Sequence, residues 1–165
     1  MMRAIVHDKY GSLDVLGVRD IDKPVVKDDE VLVRVHAAGL HIGDCFGVRG
    51  APFAMRMVTG LLKPKRRVPG FDLAGQAESI GKNVKQFRPG DEVFGVCNGA
   101  CAEYACAKED KLALKPANLT FEEAAAMPTS ALAALHALRD TGKVQPGRKV
   151  LINGASGGVG SQAAA

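Results

Sequence analysis

The sequence predicts a mainly β partial barrel followed by the start of a parallel α/β domain, and three observations predict it. The first two thirds consist of short β-branched runs separated by Gly, Pro and Asp clusters. From Asn118 the composition turns to Ala and Leu, with helix-capping chemistry at its start. Near the C terminus a buried-type strand stands directly before a glycine-rich loop.

Each element follows in order. R-A-I-V-H (3–7) and V-L-V-R-V (31–35) carry the β-branched residues and partial alternation of strands. F-D-L-A-G-Q-A-E-S-I-G-K-N-V (71–84), the turn R-P-G-D (88–91) and E-V-F-G-V (92–96) come next, with glycines where the strands of a small barrel must bend. Thr120-Phe121-Glu122-Glu123 has the form of a capping box, in which the Thr120 hydroxyl accepts from the Glu123 N–H and the Glu123 carboxylate from the Thr120 N–H. A short Ala-rich helix follows, and Pro128 interrupts it because proline lacks an N–H and clashes with the preceding turn. Thr129 or Ser130 can cap a second helix carrying Leu132, Leu135 and Leu138, which Gly142 ends. After a Q-P-G turn, K-V-L-I-N (149–153) reads as a buried strand, and the first turn or so of another helix follows the glycine loop. The expected divisions are 1–119, the β-rich domain; 120–148, connecting helices; and 149–165, the opening of the α/β domain.

With 165 residues, 47% hydrophobic and 24% charged, the chain has the composition of a soluble globular protein with room for one full domain and part of a second. Its net charge of +4 is spread along the chain except in K-P-K-R-R (63–67). That run is short, broken by Pro64 and free of interleaved aromatics, so it reads as a solvated loop and no nucleic-acid partner is expected. The N terminus offers an apolar run of only three residues, too short for a signal peptide. No stretch of about 18 apolar residues exists, so no membrane span is expected. A cytoplasmic, reducing location follows as the default, with the four cysteines as thiols.

Residues 154–160 satisfy two patterns. Gly154-Ala155-Ser156-Gly157-Gly158 has the G-x-S-x-G form of a hydrolase nucleophile elbow, but no Asp, Glu or His follows Ser156 to complete a triad in the usual chain order. Ala155-Ser156-Gly157-Gly158-Val159-Gly160 matches the dinucleotide fingerprint with alanine at the first glycine. Between a strand and a helix, such a loop lets pyrophosphate approach backbone N–H groups at the helix N terminus. Gly157 permits the close approach and Gly160 the close packing of helix on strand.

The order of P-G-F-D-L-A-G-Q-A-E-S-I-G-K-N-V-K-Q-F-R-P-G-D-E-V-F-G, C-A-E-Y-A, L-T-F-E-E-A-A-A-M-P and V-L-I-N-G-A-S-G-G-V-G resembles the medium-chain dehydrogenase/reductase superfamily, and within it the zinc-independent quinone oxidoreductase branch. The resemblance covers essentially the whole chain. It implies a GroES-like catalytic domain, then a Rossmann domain of which the chain carries only the start, with the nicotinamide in the cleft between them. Zinc-dependent members would carry Cys in a G-x-C-x-x-D stretch and a His-Glu pair after Pro-Gly. The matching residues here are His41, in G-L-H-I-G-D, and Phe71-Asp72. Phenylalanine binds no metal, and His41 with Asp72 falls short of three protein ligands. Cys97, Cys101 and Cys106 do not match the closely spaced cysteine lobe of the zinc enzymes and read, with Cys45, as buried thiols.

The resemblance implies that His41 lines the active-site cleft, at a position where quinone reductases often carry Asn. Two roles are open to it: donating a hydrogen bond or proton to a developing oxyanion, or positioning alone. Asp44 orients a neighbour or caps a short helix. Thr129 resembles a residue near the nicotinamide ring, though helix capping explains it equally well. Ala155, Ser156, Gly157, Gly158, Val159 and Gly160 are the expected cofactor-binding residues, and His7, His36 and His136 are structural. The expected activity is zinc-independent reduction of quinones or activated carbonyl and enone compounds with NADP(H) favoured over NAD(H), and a homodimer is open to the full-length protein. The alternative is a non-catalytic GroES-like structural or interaction module. An α/β unit that is only begun would expose its apolar strand and favour aggregation.

Overall fold

The computed structural model describes residues 1–165 apart from the side chain of Val58. Strand β1 (Met2–Val6) pairs antiparallel with β2 (Gly17–Ile21), Met2 opposite Ile21 and Val6 opposite Gly17. The main sheet is built from β3 (Glu30–Gly39), β4 (Asp72–Ile80), β5 (Glu92–Val96), β6 (Tyr104–Lys108) and β7 (Leu112–Leu114), in the order β6-β3-β4-β5-β7 with every neighbour antiparallel. A bridge between Ala4 and Ala102 ties β1 to the segment before β6.

The expected curvature arises in β3 and β4, whose register shifts between Leu32 and Val33 and again between Val35 and Ala37. Each bulge bends the strand and increases its twist, so the sheet curls round Val31, Val33, Leu73, Ala77, Phe87 and Val93. The first four residues of β4 are all buried, which alternation alone would not allow. Their second face is covered by α3 (Phe121–Ala125), whose Ala124 and Ala125 pack on Ala74 beside Phe94 and Phe121. Small residues are needed there because a helix backbone lies close to the sheet.

Helix α3 starts where its capping box predicts. Thr120 Oγ1 accepts from the Glu123 N–H at 3.2 Å and the Glu123 carboxylate accepts from the Thr120 N–H at 2.8 Å. Pro128 breaks the helix and opens α4 (Pro128–Leu135), continued by a π-helical turn (His136–Thr141) that stops at Gly142. Neither Thr129 nor Ser130 is the cap residue of α4: with Pro128 at the first helical position, Met127 holds the cap position and has no capping side chain. Leu132 and Leu135 are exposed. The remaining helices are α1 (Ile42–Arg49), α2 (Arg56–Thr59) and α5 (Gly158–Ala164), which packs against α4.

Two further expectations need correction. Residues 149–153 form no strand; Leu151 is 97% exposed and Val150 46%. A strand exists only through a partner ladder, and none of the described residues pairs with this segment. Of the four cysteines only Cys97 is buried, while Cys45, Cys101 and Cys106 are partly exposed. The basic run is solvated as expected, with Lys63, Lys65, Arg66 and Arg67 exposed and Arg67 paired to Asp8 at 2.6 Å. Among the described residues no helix is long and apolar enough to cross a membrane.

Candidate functional site

The polar cluster sits where β3 ends and β4 begins. Leaving β3, the chain turns extended at His41, which caps α1: its Nδ1 accepts from the Gly43 N–H at 2.9 Å, and Asp44 Oδ2 accepts from the His41 N–H at 2.9 Å. A Cβ on Gly43 would lie 2.5 Å from His41 Cε1, so glycine lets the imidazole fold over the first turn. With Nδ1 accepting, the neutral ring carries its proton on Nε2. Phe71 stacks on the ring, centroids 5.6 Å apart and planes 25° apart. Nε2 is 3.9 Å from Asp44 Oδ2, too far for a hydrogen bond. Both Nε2 and Asp44 Oδ1 are buried without a partner among the described residues. A buried donor left unpaired is uncommon and points to a group that completes it.

Asp72, the first residue of β4, is 3% exposed. Its Oδ1 accepts from the Thr129 hydroxyl at 2.6 Å and its Oδ2 from the Thr129 N–H at 3.2 Å. The capping acceptor that α4 lacks in its own sequence thus comes from a strand, and the carboxylate lies at the positive end of the helix. Burial pushes the Asp72 carboxyl above its usual range, the Thr129 bonds pull it back, His41 nearby lowers it and Asp44 raises it. His41, Asp44, Asp72 and Thr129 therefore form one electrostatic neighbourhood. As a metal ligand Asp72 falls short, and the sequence signal for its role here is a carboxylate inside the otherwise apolar run F-D-L-A-G.

The glycine loop meets this cluster through α4. Ala155, Ser156, Gly157, Gly158 and Val159 are exposed and Gly160 is buried. Gly157 is the N-cap of α5. A Cβ on Gly160 would lie 2.2 Å from the Gly154 carbonyl oxygen and 2.7 Å from Ala155 Cα, so only glycine closes this turn. A Cβ on Gly158 would lie 2.7 Å from Ser130 Oγ, next to Thr129 in sequence. The first-turn N–H groups of α5 have no intrahelical acceptor, the arrangement a phosphate can use.

Other donors are engaged elsewhere. His7 is buried with Nδ1 3.3 Å from the Lys9 carbonyl, His36 stacks on Phe121, and exposed His136 pairs with Asp140 at 2.6 Å. Burial pushes Cys97 up to about 12 and Cys101 and Cys106 up to about 11. Among the described residues no three His, Cys, Asp or Glu side chains converge in a way that could hold a metal ion.

The family model of the alcohol dehydrogenase GroES-like domain matches residues 27–137. The chain is 38% identical over 164 residues to a quinone oxidoreductase of Sus scrofa, covering 97% of this chain and 47% of that protein. It is 35% identical over 171 residues to the chloroplastic NADPH-dependent alkenal/one oxidoreductase of Arabidopsis thaliana, covering 97% of this chain and 42% of that protein. The solved quinone oxidoreductase of Coxiella burnetii superposes with a TM-score of 0.82 at 33% identity, over 98% of this chain and 51% of that one. The chain spans about half the length of the curated relatives it matches. By its sheet, its helix order and these matches, the chain belongs to the medium-chain dehydrogenase/reductase superfamily, on the quinone oxidoreductase-like branch with an alcohol dehydrogenase GroES-like domain.

Proposed function

We propose that the protein is a zinc-independent, NAD(P)H-dependent oxidoreductase that reduces quinones or activated carbonyl and enone compounds, with NADP(H) favoured over NAD(H). The observation that carries this reading is the unpartnered Nε2–H of His41, held beside Phe71 next to the Asp72–Thr129 pair. Support comes from relatives named quinone oxidoreductase and NADPH-dependent alkenal/one oxidoreductase. In this reading residues 1–119 are the catalytic domain, 120–148 connect, and 149–165 open the dinucleotide-binding domain.

The loop fits a dinucleotide, because its backbone closes only with glycine at 160 and presents first-turn N–H groups. Thr129 and residues 155–160 would hold the cofactor, which supplies the hydride when bound. The chain's own part is to orient and to stabilise charge. Backbone N–H groups of the loop would donate to the cofactor's phosphate oxygens. His41 Nε2–H donates to the substrate oxygen as negative charge develops there, a contribution that preorganised donors make large in a water-poor site. Asp44 fixes the His41 backbone, and Phe71 fixes the plane of its ring. Zinc does not fit this donor set: Phe71 offers no ligand atom, Asp72 has both oxygens on Thr129, and His41 has one nitrogen left. The substrate is a small molecule, and a homodimer is the proposed assembly.

Oxidation of NADPH and NADH by the intact protein with a quinone and with an enone tests the proposal. Turnover with NADPH that survives a chelator supports it. No turnover with either cofactor, or stoichiometric zinc in the active protein, overturns it.

A further inference from the structure

The basic run at 63–67 takes no part in the site above, but the structure places three of its residues, Pro64, Lys65 and Arg66, at a cavity. This cavity has a volume of about 260 Å³ and lies against the inner side of α1. Val48, Met55, Val68 and Phe71 give it apolar walls. Asp44 also lines it and is 6% exposed, whereas Lys65 and Arg66 line it and are exposed. Burial thus orders the charges, with the acid deep and the two bases at the mouth.

The loop carrying the bases is tied down rather than draped. Tyr10 donates its hydroxyl to the Gly60 carbonyl at 2.6 Å, and the Lys65 N–H donates to the Thr59 carbonyl at 2.8 Å. The His7 N–H donates to the Arg67 carbonyl at 2.8 Å, and the Arg66 guanidinium donates to Asn98. The walls are therefore formed before any ligand arrives, and an apolar pocket with a few convergent polar groups is the usual form of a small-molecule site.

We propose that this cavity binds a small amphipathic carboxylate, with its apolar body inside and its anionic head at Lys65 and Arg66. The volume equals roughly nine waters at ~30 Å³ each, room for an apolar body of about eight carbons. The head is oriented outward by both ends of the cavity: Lys65 and Arg66 offer charge-assisted hydrogen bonds at the mouth, and the Asp44 carboxylate repels an anion at depth. His41 does not line the cavity, so the site is separate from the proton donor proposed above and does not depend on that reading. Asp44 and Phe71 are walls common to both, so an occupant would press on the ring that stacks against His41.

Gly47 provides a variant that should fold. It lines the cavity from within α1, and a Cβ built there meets nothing within 4 Å. Leucine at this position would take up part of the cavity and favour the helix. Titration calorimetry of the protein with octanoate, octanol and inorganic phosphate is the test. Octanoate is expected to saturate one site per chain at least tenfold more tightly than octanol, with phosphate not binding. Gly47→Leu should weaken octanoate tenfold or more without lowering the melting temperature. The pair Lys65→Gln and Arg66→Gln should bring octanoate to the level of octanol and leave octanol unchanged. Equal binding of octanoate and octanol, binding unaffected by Gly47→Leu, or phosphate binding as tightly as octanoate would each overturn the proposal.

Discussion

Replacing Asp72 by alanine removes the acceptor of two hydrogen bonds from Thr129, one from its hydroxyl at 2.6 Å and one from its N–H at 3.2 Å, inside a site where Asp72 is 3% exposed. Hydrogen bonds to a charged group contribute about 1.5–3 kcal/mol each, and a lost helix cap costs about 1 kcal/mol. The desolvation that raises the Asp72 carboxyl offsets part of this. A net loss of about 2–3 kcal/mol follows, which for a chain of this length lowers the melting temperature by roughly 5–10 °C. Thr129→Val keeps the N–H bond and loses the hydroxyl bond, for about 1–2 kcal/mol. Because both changes remove the same interaction, the double variant should be less destabilised than the sum, with a coupling of about 1–2 kcal/mol. Urea unfolding of the four proteins, followed by circular dichroism, measures that coupling. Additivity within about 0.3 kcal/mol would refute the claim that the two residues act as a pair.

The same carboxyl gives a pH dependence of defined sign. Its folded value is raised above the ordinary 3.8, so the folded state holds this proton more tightly than the unfolded state. Its contribution is fully present below 3.8 and is lost as pH rises through the folded value, so the stability of the wild type relative to Asp72→Asn should fall across that window; a gap that widens would contradict the sign. His41→Ser keeps a capping oxygen but removes Nε2–H, so α1 should remain stable while turnover drops by about 10²; full turnover would leave His41 a positioning residue only. Cys97, pushed up to about 12, and Cys101 and Cys106, pushed up to about 11, should alkylate slowly with iodoacetamide at neutral pH and readily in denaturant at high pH. Rapid native labelling of Cys97 by peptide mass mapping would contradict its burial. Gly160→Ala places a Cβ 2.2 Å from the Gly154 carbonyl oxygen and should lower dinucleotide affinity tenfold or more in a fluorescence titration; unchanged affinity would remove the loop from the site.

Much of the local structure was legible because its causes are local. The capping box at Thr120 and Glu123, the break at Pro128 and the stop at Gly142 each depend on residues a few positions apart, and the structure has all three. The strand segments at 3–7 and 31–35 were readable for the same reason, although β3 runs on to Gly39 because β4 and β6 flank it. The K-V-L-I-N segment went the other way. Its composition is that of a buried strand, yet burial requires a neighbour, and among the described residues it has none.

By itself the sequence determined the capping box of α3, the breaks, the curved β-rich texture and the presence of a glycine-rich loop, since these follow from backbone sterics and short-range hydrogen bonding. Tertiary structure alone decided that Asp72, 57 residues from Thr129, supplies the cap of α4, and that Phe71 stacks on His41. It also decided that three members of a solvated basic run line an apolar cavity. Such contacts join segments far apart in the chain, and no periodicity or spacing encodes them: they exist only once the sheet has curled and the helices have docked on it.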